Sequence, residues 1–171
     1  MYFHKEEIFR DIIKGINKII DCVIFLFCLF VFSICIYAVY DNALIYQAAD
    51  NSEILSYKPT ANEDSSFIQG SVAWLTIPDT NIDYPIMQGE SNDEYLNKDP
   101  MGEYSLSGSI FLDSRNSSFF DDPYNLIYGH HMEQDMMFGG LDNFSDNDYF
   151  AMHNEGTLIA KAKTYTIHFF S

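Results

Sequence analysis

Cysteine is scarce in this 171-residue sequence, with three residues, Cys22, Cys28 and Cys35. All three lie in one apolar run, so the remaining chain cannot be stapled by disulfides. Basic side chains are also few: nine Lys and Arg face 25 Asp and Glu, for a net charge of −16. That balance argues against nucleic acid as a partner, because a phosphate backbone attracts basic surfaces. The deficit is uneven. Lys5, Arg10, Lys14 and Lys18 balance Glu6, Glu7, Asp11 and Asp21, so the whole excess of negative charge follows residue 40. Repeats and low-complexity tracts are absent. So are a His-Glu-x-x-His helix, a calcium loop with its glycine, and a Gly-x-Ser-x-Gly nucleophile turn. Ser107-Gly108-Ser109 does not supply the last of these.

What is present begins with a membrane signal. Cys22 to Tyr40 is nineteen residues without a charge. As a helix it would reach about 28 Å, close to the hydrocarbon thickness of a bilayer. The run is too long for a cleaved signal peptide, and Tyr37-Ala-Val-Tyr40 is a poor cleavage site. It is therefore expected to be an uncleaved signal-anchor over 22–40. Four basic residues precede it, and only Lys58 lies within about 20 residues after it. That asymmetry places the N-terminus in the cytoplasm and the C-terminal domain outside the cell membrane. Residues 1–21 carry Ile8, Phe9, Ile12, Ile13, Ile16, Ile19 and Ile20 at helical spacing, as expected of a helix lying against lipid. Residues 41–69 read as a short continuing helix and a polar linker rich in Asn, Asp and Ser.

Residues 70–171 read as one modest domain, rich in aromatics and hence in core-forming side chains. Strands are expected at 72–77, 82–87, 108–113 and 125–129, with a closing hairpin of 157–161 and 165–170. Pro85 should sit at an edge or bulge, since it cannot donate to a ladder. Ser91 is a fair N-cap for a short helix through Tyr95 and Leu96, and short helices are expected at 138–144 and 148–152. Short strands with turns every ten or so residues predict a mainly-β barrel or sandwich with small inserted helices.

Within this domain, Asn125-Leu-Ile-Tyr-Gly-His-His-Met132 reads as a short buried strand that breaks at Gly129 and presents His130 and His131. A histidine at a strand end suits proton transfer, because imidazole titrates near neutrality. His131 reads as a loop residue, and His4, His153 and His168 as surface or structural residues. His130, His131, Glu133 and Asp135 are close enough in sequence to suggest a metal site, but their spacing fits no metal motif. No cofactor is expected.

From about Gly70 onward the sequence resembles a class B sortase. The resemblance rests on five pieces in order: Trp74-Leu75-x-Ile77-Pro78-x-Thr80-x-Ile82-Asp83-Tyr84-Pro85; Tyr95-Leu96-x-x-Asp99; Ser107-Gly108-x-Ile110-Phe111-Leu112-Asp113-x-Arg115-Asn116; Ile127-Tyr128-Gly129-His130-x-Met132; and Met137-Phe138-x-x-Leu141-x-x-Phe144. Each is weak alone, and five in sequence are specific.

The resemblance implies a sortase-type β-barrel with His130 as the catalytic histidine. It implies cysteine transpeptidation in a Gram-positive cell. A thiolate attacks a sorting-signal peptide of a secreted surface protein, and an amine of the cell-wall precursor takes the acyl group from the thioester. An arginine would stabilise the oxyanion.

The sequence departs from that pattern. The family's nucleophilic cysteine and catalytic arginine belong to strands beyond the counterpart of Phe170, so these residues contain neither. Arg115 lies in the earlier Asp-x-Arg-Asn motif and does not take the arginine's role. The expected barrel is accordingly incomplete at its C-terminus, as in a truncated gene product. The alternative function is that of a non-catalytic, membrane-anchored remnant or peptide-binding pseudoenzyme.

Overall fold

The computed structural model describes residues 2–59, 67–161 and 163–170, with side chains from Phe9 onward. Part of the expected polar linker (60–66), the turn residue Ala162, and the side chains of His4 and the first apolar and charged residues of the N-terminal helix fall outside the described residues. The chain divides into two compact units, Met1–Ala43 and Leu44–Ser171.

The first unit consists of helix α1, which spans Tyr2–Ala49 and runs on into the second unit. It is long and apolar enough to cross a membrane. Its large side chains, Phe25, Phe30 and Tyr37 among them, are exposed. Its uncharged stretch over 22–40 suits a hydrocarbon solvent, where a helix satisfies its backbone groups internally. Ser33 follows the same logic by donating its hydroxyl to the Leu29 carbonyl at 2.9 Å.

The second unit is built on one mainly-β sheet that curls into part of a barrel. The strands are β1 (Ser71–Thr76), β2 (Asp83–Met87), β3 (Ile110–Leu112), β4 (Ile127–Tyr128), β5 (Glu155–Ala160) and β6 (Lys163–His168), in the spatial order β4-β3-β2-β1-β5-β6. All pairings are antiparallel except β2 with β3. A parallel pair cannot be joined by a tight turn, so residues 88–109 form a crossover. A 3-10 turn (Ile54–Tyr57) precedes the sheet. A 3-10 helix (Gly139–Ser145) and α2 (Asn147–Met152) fill the β4–β5 connection. Asp146 caps α2, its carboxylate accepting from the Asp148 and Tyr149 amides at 2.9 Å each.

Both faces of the sheet are covered, which accounts for the near-continuous apolar run of β1. Ala73, Leu75, Ile86, Ile110, Leu112 and Leu158 pack on one face. Trp74, Met87 and Phe111 pack on the other with Tyr95. A register shift between Ser71 and Ala73 lets Val72 join the same cluster as Ala73.

Several elements differ from the expectations. Residues 91–96 form turns, not a helix, with the Glu94 amide reaching Ser91 and the Leu96 amide reaching Asp93, both at 3.4 Å. The Tyr95 carbonyl is turned to Ser109 N (3.0 Å) and cannot propagate a helix. The strand expected over 125–129 shrinks to two half-buried residues and lies at an edge of the sheet. Pro85 lies in an interior strand opposite Trp74, but β2 pairs with β3 only at Ile86 and Met87. Pro85 is thus beyond the reach of that ladder, where its missing N–H costs nothing. The last strand stops at His168. Beyond it the Phe169 amide donates to the Asn154 carbonyl at 2.9 Å, and Phe170 is exposed.

Candidate active site

The backbone around His130 is fixed by close packing on both sides. A side chain at Gly129 would meet the Phe138 ring at 2.8 Å and Ile110 at 3.2 Å. The strand can therefore end against the core only with glycine there. His130's own carbonyl accepts from the Phe138 amide at 2.9 Å, and His131 bridges Met137. These bonds close a tight loop in which Gln134, Asp135 and Met137 take the left-handed backbone conformation, at φ 60°, 57° and 50°. Such residues are held there by their surroundings at a cost of about 1 kcal/mol or more each. The loop returns against itself at Gly139, where a β-carbon would collide with the Met132 carbonyl. His130 is exposed at the mouth of this loop, and its Nε2 lies 3.1 Å from the Leu96 carbonyl oxygen.

The β3–β4 connection supports the same strand end through Asp113. Its side chain is buried and gathers five hydrogen bonds. They come from the Arg115 amide, Nε and Nη2 at 2.8–2.9 Å, from Asn92 Nδ2 at 3.0 Å and from the Tyr128 hydroxyl at 3.1 Å. The Arg115 guanidinium, then its amide, hold the Asp113 carboxyl well below the usual carboxylate range. Tyr128, stacked on Phe111 at 5.2 Å, is pushed up by loss of hydration and by its bond to that carboxylate. Asn116 ties the loop by donating to Asp122 (2.9 Å) and to the Tyr124 carbonyl (2.8 Å), while its own oxygen accepts from Leu126 N at 2.9 Å. Gln88 donates to the Asp113 and Asn116 carbonyls at 3.0 and 2.8 Å. The Asp-x-Arg-Asn motif is a scaffold for the residue two positions before His130, and Arg115 is engaged within it.

The other histidines have separate partners. His131 Nε2 faces Asp142 at 2.9 Å on the exposed surface. His153 stacks on Tyr149 and faces Asp79 at 3.4 Å. His168 faces Glu155 at 3.4 Å across the β5–β6 pair. Among the described residues, no group of three or more His, Cys, Asp or Glu is placed to hold a metal ion. Sequence reasoning passed over Leu96, Asn92 and Tyr128 as parts of the site. Leu96 acts through its main chain and leaves no residue-type signal. Asn92 and Tyr128 could have been suspected only as polar neighbours of two motifs.

The fold and site together define a mainly-β domain, carried with an apolar helix, that presents the exposed His130 where β4 gives way to a loop. The Sortase domain family model matches residues 75–168, and the chain belongs to the sortase family. Its relatives are class B sortases. Sortase B of Listeria monocytogenes is 40% identical over 100 residues, covering 58% of this chain and 41% of that protein. Sortase B of Staphylococcus aureus is 32% identical over the same shares. A solved class B sortase of Streptococcus pyogenes, involved in pilus biogenesis, superposes with a TM-score of 0.57 and 50% identity over 60% of this chain and 57% of that one. Bacillus anthracis sortase B, in complex with AAEK1, gives 0.61 with 30% identity over 78% of this chain and 67% of that one. The match covers less than half the length of the two curated relatives.

Proposed function

We propose that this chain carries the histidine-bearing part of a class B sortase-type cysteine transpeptidase, with His130 as its proton-transfer residue. The observation that carries the reading is an exposed imidazole on a main-chain framework at the end of β4. The framework lies inside the region matched to the sortase domain. In the reaction a thiolate would attack the scissile carbonyl of a sorting signal, and His130 would protonate the leaving amine. An acceptor amine would then attack the resulting thioester, taking the acyl group as a new amide while the C–S bond breaks and the thiol is returned. No cysteine follows Cys35 in these residues, and Arg115 is bound to Asp113. The thiol and an oxyanion-stabilising arginine must therefore come from outside them.

A sorting-signal peptide is the proposed substrate, supported by the solved substrate complex of Staphylococcus aureus sortase B. The proposed acceptor is a cell-wall precursor amine. A pilin amine is a second acceptor, favoured by the pilus role of the Streptococcus pyogenes relative. Residues 22–40 are proposed as the membrane anchor, with the N-terminus cytoplasmic and the domain from residue 70 outside.

The test joins this chain to the cysteine- and arginine-bearing portion of a sortase B and measures cleavage of a sorting-signal peptide and transfer to each amine. The joined protein should be active, and His130→Ala should lower its rate by about 10²-fold or more. The 171 residues alone should form no thioester. Activity that survives His130→Ala would overturn the assignment of His130. Cleavage by the 171 residues alone would overturn the need for an outside thiol.

A further inference from the structure

The four consecutive carbonyls of Tyr95, Leu96, Asn97 and Lys98 lie against the segment that leads into β3. Three are taken by that segment: Ser109 N donates to Tyr95 (3.0 Å), Ser105 N to Asn97 (3.1 Å) and Ser109 Oγ to Lys98 (2.6 Å). Among the described residues the Leu96 carbonyl receives no main-chain donor, and it faces His130 Nε2 at 3.1 Å. Gly108 makes this arrangement possible. Its φ is +57°, and a β-carbon there would meet the Tyr95 oxygen at 2.6 Å and the Leu96 carbonyl carbon at 2.8 Å, and would collide with the Leu96 oxygen itself. The Gly108 amide is in turn held by Ser105 O at 3.2 Å, with the Ser105 and Ser107 hydroxyls, both buried, 2.7 Å apart beside it.

We infer that the Leu96 carbonyl, held in place through Gly108, is the positioning group that fixes His130 as its Nε2–H tautomer and leaves Nδ1 as the nitrogen that exchanges protons. A carbonyl oxygen only accepts, so the facing ring nitrogen must carry the hydrogen. In the neutral imidazole the lone pair then resides on Nδ1. A proton arriving at Nδ1 gives the imidazolium without disturbing the Leu96 bond, so the ring keeps one orientation through both protonation states. Leu96 and Gly108 are positioning residues that act through His130. Naming Nδ1 as the exchanging atom rests on the proposed transpeptidase reading, whereas the tautomer itself does not.

The test is multiple-bond ¹H–¹⁵N spectroscopy of the full chain in detergent micelles with ¹⁵N-labelled histidine. The His130 signals are assigned by their loss in His130→Gln. Above the titration range, the ratio of Nε2–H to Nδ1–H should exceed that of an unstructured peptide of residues 126–134 by roughly fivefold, the factor that matches a neutral hydrogen bond of about 1 kcal/mol. A ratio equal to the peptide's, or favouring Nδ1–H, would overturn the assignment. Gly108→Asn keeps a residue that tolerates left-handed φ and adds only the side chain. In folded molecules the ratio should then fall to the peptide value. A purely structural glycine would leave it unchanged and would remove Gly108 from the proposal. If that variant does not fold, Ser109→Ala, which releases Lys98 O, should lower the ratio, and an unchanged ratio there would overturn the clamp. Because no thiol is involved, an inactive joined enzyme with this tautomer intact would count against the transpeptidase reading alone.

Discussion

Asp83 is the best place to test how the sheet is held, because one carboxylate serves three donors. Its Oδ1 accepts from Trp74 Nε1 at 2.6 Å and from Thr76 Oγ1 at 2.8 Å, and its Oδ2 faces Lys58 Nζ at 2.8 Å. Trp74 is only 1% exposed, so Asp83→Ala strands an indole N–H that water cannot reach, at a cost of about 1–3 kcal/mol. Thr76 is half-buried and can turn its hydroxyl to solvent, losing about 1 kcal/mol. The Lys58 pair is about a third exposed and adds about 0–1 kcal/mol. The expected loss is about 3 kcal/mol, or roughly 12 °C in Tm for a domain of this size. Trp74 is the sole tryptophan, so its fluorescence during thermal unfolding of the full chain in detergent reports on this core. In a Trp74→Phe background, followed by near-ultraviolet circular dichroism, Asp83→Ala should cost about 2 kcal/mol less, because no N–H remains to be stranded. A loss below about 1 kcal/mol, or an equal loss in both backgrounds, would refute the reasoning.

Asp113 should make stability depend on pH. Its folded pKa is depressed, so its contribution is present above the ordinary aspartate range and is lost as pH falls below about 4. Melting of wild type and Asp113→Asn between pH 2 and 6 should show the wild-type advantage shrinking at the acid end, and a constant difference would contradict it. Gly139→Ala places a β-carbon against the Met132 carbonyl, a main-chain atom that no rotamer can move. It should destabilise by about 1–3 kcal/mol or more, with histidine spectra showing His130 displaced. A neutral outcome would mean that the loop is soft. Tyr84→Phe removes a buried hydroxyl that donates to the Ala49 carbonyl at 3.1 Å and accepts from Met137 N at 3.4 Å. Denaturant unfolding should show a loss of about 1–2 kcal/mol, and no change would show these bonds to be energetically idle.

Sequence patterning located most of the sheet because apolar runs broken by Pro, Gly and Asp turns mark strands whatever their partners. It could not supply the β2–β3 pairing, whose parallel sense depends on the long crossover through 88–109. The Ser91 cap signal failed because the carbonyls of 95–98 are claimed from outside by residues 105–109 and by His130. The placement of His130 at a strand end was legible through Gly129, where the close approach of Phe138 demands glycine. The group that orients its ring was not legible. A main-chain acceptor has no residue type, and the left-handed conformation of Gly108 beside it is visible only in the structure.

The motifs that mark the family are mostly architecture. Asp83 joins β1 to β2, Asp113 with Arg115 and Asn116 ties the β3–β4 loop, and Gly108, Gly129 and Gly139 permit three close main-chain contacts. Only His130 among them has an exposed, titratable side chain whose bond leaves a ring nitrogen open. A chain under selection for folding alone would therefore keep nearly all of these residues, and their presence is stronger evidence for the sortase fold than for turnover. The feature that separates a scaffold from an enzyme is the state of His130. A fixed tautomer with a free Nδ1 contributes little to stability at an exposed site and matters chiefly to proton transfer. Finding it intact within residues 1–171 would mean that the histidine's framework is set without the nucleophile's part of the site.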